Sequence, residues 1–181
     1  MFYDDLSPYA YPIHPITEDG DVFTEVGTGT RFVTVRGAYR RLNIGWLEAG
    51  QPWTAGPAPA EFASKLLTVL KEQAVNQALG LHECDLCPTP LDDAHPWYEP
   101  RPGHRRASAG TGEIRVPGAP GTAYAAPSLI GHYVLDHGYL PPREFVDAVL
   151  AFDLQDRSVA YPSIAFPWIP DDAELYDALV D

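Results

Sequence analysis

The sequence is short of cysteine, of basic residues and of long apolar runs, and each shortage excludes a class of protein. Two cysteines in 181 residues cannot staple a disulfide scaffold, and no apolar run approaches the ~18 residues that span a bilayer. The opening MFYDDLSPYAYP puts acids and prolines where a secretory signal needs a basic start and an apolar core, so the expected location is the cytoplasm. Lys and Arg number 12 against 25 Asp and Glu, a formal net charge of −13. Nucleic-acid binding draws its affinity from neutralised phosphates, so neither a polyanion nor a membrane is an expected partner, and a protein or a small molecule is. The bases are scarcest at the two ends. Residues 1–30 carry Asp4, Asp5, Glu18, Asp19, Asp21 and Glu25 with no Lys or Arg, and the stretch from Glu144 to Asp181 has nine acids against Arg157 alone. The one basic cluster, Arg101, His104, Arg105 and Arg106, falls in a Pro/Gly-rich stretch and reads as a solvated loop tip, with a contact to an acidic partner or phosphate as the alternative.

What is present suits one α+β domain over residues 1–181: 45% hydrophobic residues are enough for a core at this length. The expected architecture is a small mixed or antiparallel sheet with three to four helices. Residues 1–20, with Pro8, Pro12 and Pro15 among Tyr3, Tyr9, Tyr11 and Ile13, predict an extended wrapping segment. Alternation over Arg31–Arg36 and the run Leu42–Leu47 predict strands. Phe62, Leu66, Val69, Leu70 and Gln73 form one stripe at helical spacing, entered through Pro59 and stopped near Gly80. Residues 88–112 hold five prolines and no hydrophobic period, which predicts a long loop. Glu113–Val116, the turn Pro117–Gly121 and Thr122–Ala125 predict a hairpin. One helix follows from Pro127-Ser128 to Gly138, with Ser128 as its cap, and another starts after Pro141-Pro142 with Phe145, Val149 and Phe152 on one face. Residues 153–181 form a C-terminal extension, with an extended aromatic run from Tyr161 to Trp168 and a short acidic helix from Asp171 to Val180.

Both cysteines sit in one Cys84-x-x-Cys87 knuckle, and this carries the chemistry. In a reducing compartment such a pair points to a metal before a disulfide. Thiolate and imidazole are the donors that Zn²⁺ prefers, and four-coordination needs two more of them. His132-x4-His137 lies downstream at the spacing of paired zinc histidines. Residues five apart on an ideal helix diverge by about 140°, so both rings reach one ion only if the last turn tightens or breaks, and Gly138 supplies a break. Knuckle, hairpin, helix and histidine pair together resemble a treble clef. His82 competes for a place, since His-x-Cys-x-x-Cys offers three donors within six residues. A closed Cys₂His₂ set is structural. Three protein donors plus water would instead make a catalytic zinc under the loop 88–112, with Glu83, Asp85 or Asp136 as general base.

Other signatures are incomplete. Redox use of the Cys-x-x-Cys is disfavoured by Pro88, which hinders a helix starting there. His-Glu-x-x-His is absent, and Gly27-Thr28-Gly29 and Gly110-Thr111-Gly112 lack the remainder of a phosphate loop. Ser128 near His132 imitates a nucleophile and base, and Trp46, Trp53, Trp97 and Trp168 could line a pocket, but capping and core anchoring explain them as well. His14, His95 and His104 read as surface histidines.

The opening Tyr3-Asp4-Asp5-Leu6-Ser7-Pro8-Tyr9, Asn43-Ile44-Gly45-Trp46-Leu47, Leu81 to Cys87, Gly112 to Val116, and Tyr124 through His137-Gly138-Tyr139 resemble an uncharacterised bacterial family of unknown function from high-GC organisms. Ten of the twelve bases being Arg agrees with such a genome. The resemblance covers residues 1–152 and carries no activity to transfer. The expectation is therefore a zinc-binding module for a protein or small ligand, with the metalloenzyme as the alternative.

Overall fold

Two periodicities in the sequence become a hairpin and a helix in the computed structural model, which describes residues 1–9, 22–26, 32–36, 40–72, 75–77, 82–87, 109–154, 160–161, 164–165 and 174–177. In chain order the elements are β1 (Val22–Val26), β2 (Phe32–Arg36), β3 (Arg40–Asn43), α1 (Ala60–Glu72), β4 (His82–Glu83), β5 (Ala109–Gly110), β6 (Glu113–Pro117) and β7 (Thr122–Pro127). They continue with α2 (Ile130–Asp136), α3 (Arg143–Ala151), β8 (Ala160–Tyr161), β9 (Ile164–Ala165) and β10 (Glu174–Asp177). The class is α+β, with a small mixed sheet and three helices among the described residues.

The sheet that frames the site has the order β3-β7-β6. β6 and β7 form the expected antiparallel hairpin, Glu113 opposite Pro127, and β3 lies parallel to β7 with Arg40 opposite Thr122. Gly121, at φ +72°, turns the chain where an L side chain would be strained. Because the side-chain period is two, β7 offers Tyr124 and Ala126 to one face and Ala123 and Ala125 to the other. On the first face Tyr124, Ala126, Ile114 and Val116 pack with Phe62, Leu66 and Val69 of α1, Ile130 and Tyr133 of α2, and Phe145 and Val149 of α3. Phe145 stands edge-on to both Phe62 and Tyr124, at 6.1 and 5.7 Å between ring centres. Tyr9 and Trp46 cover the second face over Ala125.

Residues 3–9 run antiparallel to the outer edge of β3. The Tyr9 amide donates to Arg41 O, the Asn43 amide to Ser7 O and the Leu6 amide to Asn43 O. Both faces of the hairpin are therefore buried, Glu113 and Arg115 included. Arg115 Nη1 donates to Glu113 Oε2 at 2.7 Å, and Glu113 Oε1 accepts from the Tyr9 hydroxyl at 2.8 Å.

A second sheet, β1-β2-β10, is antiparallel throughout, and β8 pairs with β9. Here one expectation is corrected. The acidic helix expected over 171–180 is a strand at Glu174–Asp177, because β2 supplies backbone partners that a local reading of charge does not see. The end of the expected loop 88–112 is also ordered: Ala109 and Gly110 pair with Glu83 and His82. Residues 88–108, with the basic cluster and Trp97, lie outside the described residues, as do 10–21, Trp168 and the rest of the expected tail helix. Among the described residues no helix is long and apolar enough to cross a membrane.

Candidate metal centre

Cys84 and Cys87 come from the turn after β4, and His132 and His137 from α2 and the residue that ends it. The turn is closed by the Cys87 amide donating to Cys84 O at 3.4 Å. Two further bonds hold it in place: the β4–β5 ladder, which ties its entry to the chain leading into the hairpin, and the Ala49 amide, which donates to Asp85 Oδ2 at 3.1 Å. Amides of Leu86 and Cys87 also bond the Cys84 sulfur. The knuckle is thus shaped before any ion is considered, with backbone dipoles aimed at one of its sulfurs.

α2 follows β7 directly. Its N-cap is Leu129, with no side-chain cap, and the Ser128 hydroxyl instead accepts from the Gly112 amide at 3.4 Å. This corrects the expected capping role of Ser128: the N-cap lies one residue later than the Pro-Ser pair suggests. Gly131 lets α2 approach α1 closely, since a Cβ there would lie 2.7 Å from Leu70 Cδ1. The helix stops where the divergence of residues five apart requires it to. Asp136 is its last residue, His137 is its C-cap, and Gly138 turns the chain at φ +68°. Tyr133 O accepts the amides of both His137 and Tyr139, which fixes the reversal.

The reversal brings His137 back over His132, the two rings 4.7 Å apart and nearly perpendicular. Their Nε2 atoms are 3.0 Å apart. Cys87 Sγ lies 3.2 Å from His132 Nε2 and 3.5 Å from His137 Nε2, and Cys84 Sγ lies 3.4 Å from His137 Nε2. All four donor atoms fall within 4.8 Å of one another, close enough to hold a metal ion. Burial grades across the cluster, from Cys84, which is buried, to Cys87, His132 and His137, which are half-buried.

Electrostatics follow from that placement. Burial pushes the Cys84 thiol above its ordinary range, the amides of Leu86 and Cys87 oppose the rise, and neighbouring Cys87 adds to it. Burial also lowers His137, as does the adjacent His132, while Asp136 works the other way. A lowered imidazole stays neutral, which is the form that ligates. Tyr133 packs beside both rings, at 6.0 and 6.3 Å between centres. Its hydroxyl is raised by burial first and then by Cys84, Asp85 and Cys87. His132 Nδ1 sits 2.7 Å from Asp136 Oδ2.

One protein family matches residues 1–150, and it is described as a domain of unknown function, DUF7919. The chain belongs to the DUF7919 family. No curated protein and no solved structure matches the chain. The DUF7919 region contains all four members of the cluster and extends into α3.

Of the five residues singled out in the sequence, the structure brings four together and leaves His82 apart. His82 is exposed on β4, paired through its backbone with Gly110, and is outside the Cys/His group. The carboxylates considered as general bases are otherwise placed: Glu83 is exposed, Asp85 holds the Ala49 amide, and Asp136 holds His132. Trp46 is buried with Tyr9 and Ala125, and Trp53 is exposed. Sequence reasoning missed the bond from His132 to Asp136 as a part of the cluster. The i,i+4 spacing was the available signal.

Proposed function

We propose that this chain is a zinc-binding module in which Cys84, Cys87, His132 and His137 hold one Zn²⁺ as a structural centre, and that its surface binds a protein or a small ligand. The observation that carries the reading is the convergence of four soft or borderline donors from a knuckle and a helix end that are 45 to 53 residues apart in the chain. Zn–S bonds of about 2.3 Å and Zn–N bonds of about 2.0–2.1 Å at tetrahedral angles imply S···N edges of about 3.6 Å and an N···N edge of about 3.3 Å. Four of the six edges, three S···N at 3.2–3.5 Å and the N···N at 3.0 Å, agree to within about 0.4 Å, and all six lie within 4.8 Å.

Four protein donors favour a closed site. A hydrolase with a bound water under the loop 88–112 needs one position open, and the supply of a fourth protein donor argues against it. The sequence of knuckle, hairpin and helix supports a treble-clef-like arrangement, with the ion pinning α2 to the knuckle. A reducing cytoplasm, in a bacterial cell, suits two free thiols, and the net charge of −13 turns the search for partners away from nucleic acid. We take the chain to act as one domain.

Metal analysis of the purified chain, followed by chelation, tests this. One equivalent of zinc and loss of folded structure on chelation is the expected result. A folded apo-protein with a metal-bound exchangeable water in the loaded form would favour the enzyme. A stable protein with no stoichiometric metal, unaffected by Cys84→Ser, would overturn both and return the thiols to a redox role.

A further inference from the structure

We propose that Asp136 is a positioning residue of the metal centre, which holds His132 in the tautomer and orientation that make its Nε2 a donor; the inference rests on the Cys₂His₂ reading above. An ionised carboxylate only accepts hydrogen bonds, so the ring nitrogen facing it carries the proton. That nitrogen is Nδ1, 2.7 Å from Asp136 Oδ2. A neutral imidazole has one N–H, so its lone pair is then on Nε2, the atom 3.2 Å from Cys87 Sγ and 3.0 Å from His137 Nε2. The tautomer fixed at one end of the ring is the one the cluster needs at the other.

Spacing and charge agree with this role. Residues four apart share a helix face, so α2 presents both side chains together. A carboxylate behind a ligating histidine also makes the ring a better donor. The helix itself does not call for an acid here: Asp136 is the last residue of α2, where a negative charge opposes the helix dipole. Support of the helix and support of the ligand therefore predict different outcomes when the charge is removed.

The full chain is stripped of metal and titrated with Co²⁺ and then Zn²⁺ against a competing chelator, as wild type, Asp136→Asn and Asp136→Leu. The leucine variant is expected to bind about 10–100-fold more weakly. The asparagine variant keeps an acceptor for Nδ1–H and should recover part of that loss. At saturation all three should show the same cobalt absorption, since the four donors are unchanged. In the zinc-loaded wild type, long-range ¹H–¹⁵N spectra should report His132 as Nδ1–H with Nε2 bound. Equal affinities for the three chains, or His132 bound through Nδ1, would overturn the role of Asp136 while leaving the metal centre standing. A wild type that takes up neither ion at one equivalent would instead remove the centre, and the proposal with it.

Discussion

Replacing Arg115 by methionine should be among the most damaging single changes in the hairpin, although the residue is no member of the Cys/His cluster. Arg115 is fully buried, and its guanidinium donates to Glu113 Oε2 at 2.7 Å and to Ile114 O at 3.1 Å. It also stacks 4.8 Å from the centre of the Tyr9 ring. Methionine fills much of the same space but takes the guanidinium away from the Glu113 carboxylate, which is 3% exposed and also accepts from Tyr9 and Asn76. Removing one partner of a buried pair costs about 3–5 kcal/mol, here because Glu113 loses its counter-charge at 2.7 Å. At about 2–4 °C per kcal/mol for a chain of this size, melting should fall by roughly 6–20 °C. The double variant Glu113→Gln with Arg115→Met keeps the Tyr9 and Asn76 contacts and removes both charges, so about half or more of the loss should return. Urea unfolding followed by circular dichroism, with matched slopes, measures both. A single variant within about 1 kcal/mol of wild type, or a double variant no better than the single, would refute the reasoning.

Three further outcomes follow from the same geometry. Burial raises the Asp5 carboxyl above its ordinary value, while the Gly45 amide at 2.8 Å and the Tyr139 hydroxyl at 2.8 and 2.9 Å pull it down. Native Asp5 thus binds its proton more tightly than the unfolded chain does, so its contribution to stability falls as pH rises from the unfolded pKa through the folded one. Tyr139→Phe should raise Asp5 further and cost about 1–2 kcal/mol at neutral pH, a deficit that shrinks in acid; carboxyl NMR titration and stability at several pH values check both, and an unchanged Asp5 would contradict them. Gly45→Ala should cost about 1–3 kcal/mol, because φ is +67° and the new Cβ would meet Ile130 and Tyr139 at 3.1 Å; denaturant midpoints unchanged from wild type would count against it. Chelation should open both thiols to alkylation, since loss of the ion unfolds the chain and uncovers Cys84, which is only 3% exposed when folded; mass spectrometry reads the modification, and equal modification with and without chelator would oppose a bound ion.

Much of the centre was legible in the sequence because it is built from local devices. Cys-x-x-Cys makes its own turn, and the divergence of His132 and His137 on an ideal helix already required the helix to end near Gly138, as it does after Asp136. Phe62, Leu66 and Val69 likewise revealed the buried face of α1. What depended on partners distant in the chain was not legible. Glu174–Asp177 looks helical by charge and becomes a strand on β2. Glu113 and Arg115 look like the solvent face of a hairpin, but residues 3–9 cover that face and make the pair internal. Likewise, nothing in the His-x-Cys-x-x-Cys run shows that β5 will take His82 into a ladder and leave its side chain exposed.

X-ray absorption at the zinc edge of the purified, loaded chain tests the metal centre most directly. The account predicts one zinc with two sulfur neighbours at about 2.3 Å and two imidazole nitrogens at about 2.0–2.1 Å, and no oxygen. A shell with an oxygen in place of one histidine, a single sulfur, or no zinc bound at one equivalent would contradict it.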